Sequence, residues 1–364
     1  MQSIEEDSIA ILKDKLVKKE ITKRDFLKAC LVVSGGVAMS SLGLPSAYGN
    51  EQMTVANQGG DAVKVFGDAW TTPFERGTGI KVNIDGSGTL VGTVKKMVDD
   101  RNVHWDVLDG DGFFSPMLGA DYLEPIDYNI VSPNGFFDWN KQTYGAGNYV
   151  YSVVLAYDKS KLSTAPKNWV DFFDRKNFPG KRALFKWFLC MPEVCMLGAG
   201  RKPEEIYPID MNLVTEMVQS LGDDLVLWDS GASSQQLFLD GEVVMGAVWN
   251  TRATSVARDT NDRIAWTWED QIVTPATWNI PKGAKNVAAA QRFIASTQDI
   301  RSQIKVLELM GYGPANPAAI NQLNEAQARI NPTSHLDKGI IRNDLWYAQH
   351  MNSELGTWLD AISG

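Results

Sequence analysis

Gln235-Gln-Leu-Phe-Leu-Asp-Gly-Glu-Val-Val-Met-Gly-Ala-Val-Trp-Asn-Thr-Arg252 decides how the rest of the chain is read. A helical piece closes at Asp240-Gly241, where glycine accepts the positive φ that a turn requires. Glu242 to Trp249 is mostly apolar and rich in valine, the pattern of a strand buried on both faces. That strand stops in Trp249-Asn250-Thr251-Arg252, where a large ring, an amide, a hydroxyl and a guanidinium arrive together. In open α/β sheets ligands bind outside the carboxyl ends of strands, so this is a candidate ligand edge. The plainer reading is a core tryptophan followed by a helix cap, and the remainder of the chain decides between the two.

Composition narrows the function classes. The chain has 364 residues, 44% hydrophobic and 22% charged, which suits a globular protein of about two domains. Net charge is −9 and no basic cluster occurs, which argues against nucleic acid or an anionic membrane as the main partner. Twelve tryptophans point to a large core or to a ligand site walled by rings. Cys190 and Cys195 fit no zinc spacing and read as two buried thiols, although a disulfide between them remains open. His104, His335 and His350 are the only histidines, and none has a metal-binding spacing. There is no Gly-x-Ser-x-Gly elbow, Gly86-Ser-Gly88-Thr-Leu-Val91 lacks the third glycine of a dinucleotide loop, and no Gly-Lys-Ser/Thr loop is present. Asp109 and Asp111 could serve as paired carboxylates, but a spacing of two is weak evidence. The expectation is therefore no enzyme, no cofactor and no metal, with a secreted hydrolase as a minor alternative.

Residues 1–49 have the three parts of an export signal. Thr22-Lys-Arg-Asp-Phe-Leu-Lys28 is basic, Ala29 to about Leu44 is modestly apolar, and Ala47-Tyr-Gly49 supplies small residues for cleavage near Gly49. The apolar run is too short and too rich in glycine and serine to span a membrane. The basic region resembles a twin-arginine export motif with lysine replacing the first arginine, so the route is open. The expected mature protein is soluble, periplasmic and monomeric.

Three strand-turn-helix units follow within about sixty residues, which predicts a parallel sheet. Strands at Met53–Asn57, Thr78–Val82 and Trp105–Leu108 end in the turns Gln58-Gly-Gly-Asp61, Asp85-Gly-Ser87-Gly and Asp109-Gly-Asp111-Gly. Small residues at these ends let backbone N–H groups approach a ligand. Gly145 to Tyr157 is longer than one sheet needs and reads as a crossing into a second lobe. Further strands are expected at Leu225–Trp228, ending in Asp229-Ser230-Gly231, and at Ile264–Trp268. Thr277-Trp-Asn-Ile-Pro281 would return the chain to the first lobe, and the part from Asn343 on looks helical. Crossing strands between two such sheets make a cleft, a preferred place for a small-molecule site.

Phe74-Glu-Arg-Gly-Thr-Gly-Ile-Lys-Val82 resembles the first lobe of solute-binding proteins of ABC importers, of the spermidine/putrescine type. So do Trp169-Val-Asp-Phe-Phe with Phe178-Pro-Gly-Lys181, Asp240 to Asn250, Trp278-Asn-Ile-Pro-Lys-Gly-Ala284 and Gly311-Tyr-Gly-Pro-Ala-Asn316. The resemblance covers nearly all of the chain after the leader. It implies a type II periplasmic-binding-protein fold of class α/β, each lobe a mostly parallel sheet flanked by helices, that closes on a solute and delivers it to a membrane permease. On this reading residues 50–152 and 279–335 form lobe 1, 153–278 lobe 2, and 336–364 a helical segment packed on both.

By the same resemblance, Trp249 stands where the family stacks a tryptophan on the ligand and Tyr312 where it has a contacting tyrosine. Asp111 and Phe113 fall in a loop that carries a hydroxyl residue and an aromatic. The departures are an alanine, Ala276, in place of a key acid, Lys186-Trp187 in place of an acidic pair, and Gln58 where an aromatic is common. Candidate ligand residues are thus Gln58, Ser87, Asp111, Phe113, Tyr151, Lys186, Ser230, Trp249, Asn250, Arg252, Trp278 and Tyr312. Polyamine is the family expectation. Two extra cations, Lys186 and Arg252, would repel a polycation, so a zwitterionic or carboxylate-bearing amine is the alternative.

Overall fold

The computed structural model describes residues 51–363, so the export leader lies outside the described residues. One twisted sheet runs through the molecule. Its main strands in chain order are β1 Gln52–Ala56, β2 Lys81–Asp85, β3 Val107–Asp111, β4 Gly145–Asp158, β5 Arg182–Phe185, β6 Leu225–Trp228, β7 Met245–Trp249, β8 Ile264–Pro281 and β9 Gly339–Ile341. Spatially the main path is β2-β1-β3-β8-β4-β7-β5-β6, with β9 parallel to the middle of β8. β1, β2 and β3 are mutually parallel, as are β5, β6 and β7. The two groups are joined by β4 and β8, which run antiparallel to each other for most of their length.

Strand length explains this architecture. At about 3.3 Å per residue, the 14 residues of β4 and 18 of β8 reach well past one ordinary sheet. The molecule is an α/β protein of two lobes joined by long strands, as the sequence indicates. The two strands that the sequence suggests at Ile264–Trp268 and Thr277–Pro281 are one, β8. It is continuous, and its register slips between Thr267 and Ile272, where Asp270 adopts φ +57°. The polar residues Glu269-Asp270-Gln271 that interrupt the apolar pattern occupy this bulge.

The helices that matter below are α1 Asp61–Phe66, α2 Val91–Asp99, α3 Phe114–Tyr122, α4 Met191–Gly198, α5 Met211–Gln219, α6 Gly231–Leu239, α7 Asn250–Asp259, α8 Val287–Ser296, α9 Ile300–Met310 and α10 Asp344–Ser363. Pro73 lacks an N–H, and the helix expected over residues 62–77 changes to a wider turn at Gly67–Thr71 before resuming at Thr72. Two apolar cores flank the sheet. One gathers Phe66, Trp70, Trp278 and Phe293; the other gathers Trp169, Phe172, Trp228, Val248 and Trp358. Most of the twelve tryptophans are thus spent on packing. Cys190 and Cys195 are buried and unbonded, and burial pushes the Cys190 thiol up to about 12.

β3 differs from its expected boundaries. It extends to Asp111 because β8 pairs alongside it, with Ala276 opposite Asp111 and Trp278 opposite Asp109. Asp109 and Asp111 are therefore alternate residues of a strand, on one face, rather than members of a loop.

Candidate functional site

The ends of β3 and β7 meet at the middle of β4, where Tyr151 contacts both Asp111 and Trp249. Trp249 closes β7 and precedes α7, with its ring 5.0 Å from Trp228, 5.4 Å from Phe185 and 6.5 Å from Tyr151, each near-perpendicular. Phe185 stacks on Trp228 at 4.3 Å, so the partly exposed Trp249 ring stands on a rigid aromatic base. Across from it, Tyr312 follows α9 and stacks on Tyr149 of β4 at 4.0 Å and 15°. Burial pushes the Tyr312 hydroxyl up to about 12, Asp109 adds to the rise, and nearby Arg252 opposes it. Tyr149 and Tyr151 share a face of β4, and together these rings form a wall with a polar floor.

Two acids make that floor. Asp109 is 1% exposed and accepts hydrogen bonds from Asn148 Nδ2 (2.8 Å) and Tyr149 OH (3.1 Å). Desolvation pushes its carboxyl up to about 7. Asp111 accepts from Tyr151 OH at 3.2 Å and forms an ion pair with Arg342, which also pairs with Asp344. Burial raises Asp344, and Arg342 opposes that rise. The Arg342 guanidinium lies 5.5 Å from the Phe113 ring centre and 5.1 Å from that of Tyr347.

Arg252 brings a positive charge to the same place. It lies one turn into α7, and Nη1 donates to Gln235 Oε1 at 3.2 Å. Its Nε is buried with no acceptor, and among the described residues it forms no ion pair. The side chain lies against Gly231, where an added Cβ would displace the guanidinium. Gly231 opens α6, and a helix N-terminus adds a further preference for an anion.

The structure brings together Asp111, Tyr151, Trp249, Arg252 and Tyr312 from the sequence-derived set. Gln58 stands beside them, exposed, its amide donating to Thr89 Oγ1 and to Asp109 O at 3.3 Å. The others are placed elsewhere or occupied. Trp278 is fully buried beside Phe66 and Trp70, with Nε1 donating to Thr297, which corrects its assignment as a ligand residue. Asn250 is also corrected: it is 0% exposed, accepts from Ser152 N and donates to Gly311 O, tying β4, α7 and the end of α9. Phe113 lies behind the floor against Arg342 and Tyr347. Ser230 caps α6, Ser87 is exposed in its turn, and Lys186 is exposed, with its backbone bonded to Trp228 and Trp358. Ala276 has Asp111 as its cross-strand neighbour, so an acid does stand beside that position, but Arg342 already holds it.

Arg342 and Tyr149 escaped the sequence reading. Tyr149 sits in a run read only as a crossing strand. Arg342 ends Gly-Ile-Ile-Arg, and a guanidinium after two isoleucines was the one sign that the segment enters the interior. A separate cavity of about 530 Å³ lies between α3, Trp139 to Tyr144, Pro275 and residues 341–345. It touches Arg342 and Asp344 but none of Trp249, Arg252 and Tyr312.

No group of His, Cys, Asp and Glu among the described residues could hold a metal, and no helix among them is long and apolar enough to cross a membrane. The profile of bacterial extracellular solute-binding proteins matches residues 69–331, and the chain belongs to this family. It is 31% identical over 297 residues to the gamma-aminobutyric acid-binding protein of Pseudomonas aeruginosa, covering 78% of this chain and 83% of that one. Among solved structures it resembles a GABA receptor at TM-score 0.81 and 28% identity, over 86% of this chain and 98% of the other. A binding protein of A. tumefaciens R10 in complex with agropinic acid matches at TM-score 0.76 and 25% identity, over 86% and 99%. The protein is thus a substrate-binding component of an ABC transporter, not an enzyme, and takes a small-molecule solute to a permease; membership implies export to the periplasm.

Proposed function

We propose that the solute is a small amine bearing a carboxylate, of the gamma-aminobutyric acid or opine kind, rather than a polyamine. The observation that carries this reading is the Arg252 Nε, buried without an acceptor at the N-terminus of α6. Arg252 is half-buried, with its Nε unmet and no acid paired to it, and a carboxylate is a group that satisfies a guanidinium with charge-assisted hydrogen bonds. The solute's amine then meets the faces of Trp249 and Tyr151 beside Asp111, whose oxygens also accept from Tyr151 and Arg342, an end matched to one ammonium. A polycation would place its second ammonium against Arg252. Relatives described as binding gamma-aminobutyric acid and agropinic acid support the same class.

Titration calorimetry of residues 50–364 with 4-aminobutyrate, an opine and putrescine tests this. Carboxylate-bearing compounds should bind and putrescine should bind far more weakly. Arg252→Ala should cost about 2–5 kcal/mol of affinity for the carboxylate compounds, the usual penalty for truncating one member of a buried charge pair. Unchanged affinity in Arg252→Ala, or a preference for putrescine, would sink the reading.

A further inference from the structure

Arg342 meets Asp111 across 231 residues of sequence. Its side chain is inaccessible to solvent and pairs with two acids, of which Asp111 is the more open, at 16% against 9% for Asp344. Phe113 and Tyr347 flank the guanidinium, and both rings are themselves buried, so it has no room to swing away from the floor. Asp111 therefore reaches the cleft with a cation fixed behind it.

We propose that Arg342 is a specificity-determining residue of the cleft, acting through Asp111: it compensates the charge of the floor, so that a solute with one ammonium is accepted and a diamine is refused. This rests on the amino-carboxylate reading above. The argument is one of charge. With Arg342 in place, one guanidinium compensates the two acids Asp111 and Asp344, and removing it leaves both uncompensated behind the floor. A zwitterion bound with its ammonium at the floor gains at that end and loses at its carboxylate, so its net response to a unit charge added there is the smaller one. A dication gains at both ends, so removing Arg342 should favour it selectively.

Calorimetry of the full mature chain with putrescine and 4-aminobutyrate decides the matter. Arg342→Gln should raise putrescine affinity by about tenfold or more and change 4-aminobutyrate affinity far less. Arg342→Lys, which keeps the charge, should leave the wild-type preference in place. Putrescine affinity in the Gln variant no higher than in wild type overturns the proposal, as does an equal loss for both compounds, which marks a purely structural role. Asp344→Asn keeps Arg342 and covers the case of a Gln variant that does not fold. It leaves Asp111 as the sole acid for the guanidinium, so putrescine affinity should fall relative to 4-aminobutyrate; a relative rise overturns the proposal. Failure of the underlying reading has a different signature, an Arg252→Ala variant with undiminished 4-aminobutyrate affinity.

Discussion

Asp109 shows how burial sets the chemistry of a single side chain. Its two donors, Asn148 and Tyr149, favour the charged form, yet desolvation outweighs them and moves the carboxyl from 3.8 to about 7. A folded-state value above the unfolded one means that the native state holds the proton more tightly. The associated stability is fully present below pH 3.8 and is lost progressively as pH rises to about 7. Asp109→Asn, which cannot ionise, should therefore gain on wild type across that window, by up to a few kcal/mol. Urea unfolding of both proteins at pH 4 and pH 7 measures it, and a difference that does not grow with pH contradicts the assignment. Trp249 poses a simpler test at the same scale. Its ring rests on Trp228 and Phe185 and is still partly exposed, so Trp249→Ala should cost about 1–3 kcal/mol of solute affinity.

Helix α10 shows what a terminal element contributes. Tyr347 OH donates to Glu193 Oε2 at 2.8 Å and accepts from Cys190 N at 2.9 Å, while Trp358 Nε1 donates to Lys186 O at 2.8 Å. Glu193 is fully buried, its carboxyl raised by desolvation against the opposing bonds of Tyr207 and Tyr347. One phenol thus satisfies groups on α4 and just before it, from a helix some 150 residues later. Tyr347→Phe keeps the ring packed on Phe188 and removes only the hydroxyl. It should destabilise the fold by about 1–3 kcal/mol, the cost of leaving a buried donor and acceptor unmet. Chemical unfolding with an unchanged midpoint would show that water replaces the hydroxyl without loss. The helix itself was legible from Asn343 on, because its apolar residues repeat at helical spacing. Its partners were not, since nothing in its own sequence names α4 or the segment after β5.

At the scale of the molecule, two lobes share β4 and β8, and a solute that bridges Trp249 and Arg252 on one side to Asp111 and Tyr312 on the other should hold them together. Binding to the folded state alone stabilises it by RT ln(1 + [L]/Kd), about 4 kcal/mol at a thousandfold excess over Kd. Thermal unfolding across a solute panel should show a rise in midpoint for carboxylate-bearing amines. No rise with any of them would leave the cleft without its proposed ligand class.

Local pattern was enough to determine the architecture and to nominate candidate residues for the site. Strand-turn-helix order, the apolar run ending in Trp249-Asn-Thr-Arg252 and the length of the crossing segment each report on near neighbours, and burial of alternate or successive residues writes itself into such runs. Trp249, Arg252 and Tyr312 were nominated as candidates because Trp249 ends a strand, Arg252 stands in the first turn of the next helix and Tyr312 follows a helix. Tertiary structure alone decided which polar groups are already committed. Asn250 and Trp278 stand in the same kinds of motif as Trp249, yet one is consumed by two backbone partners and the other by an aromatic core. Asp111 looked like a free acid until Arg342 arrived from β9. Charge compensation acts through space, and two residues 231 positions apart leave no mark on each other's neighbourhood in the chain.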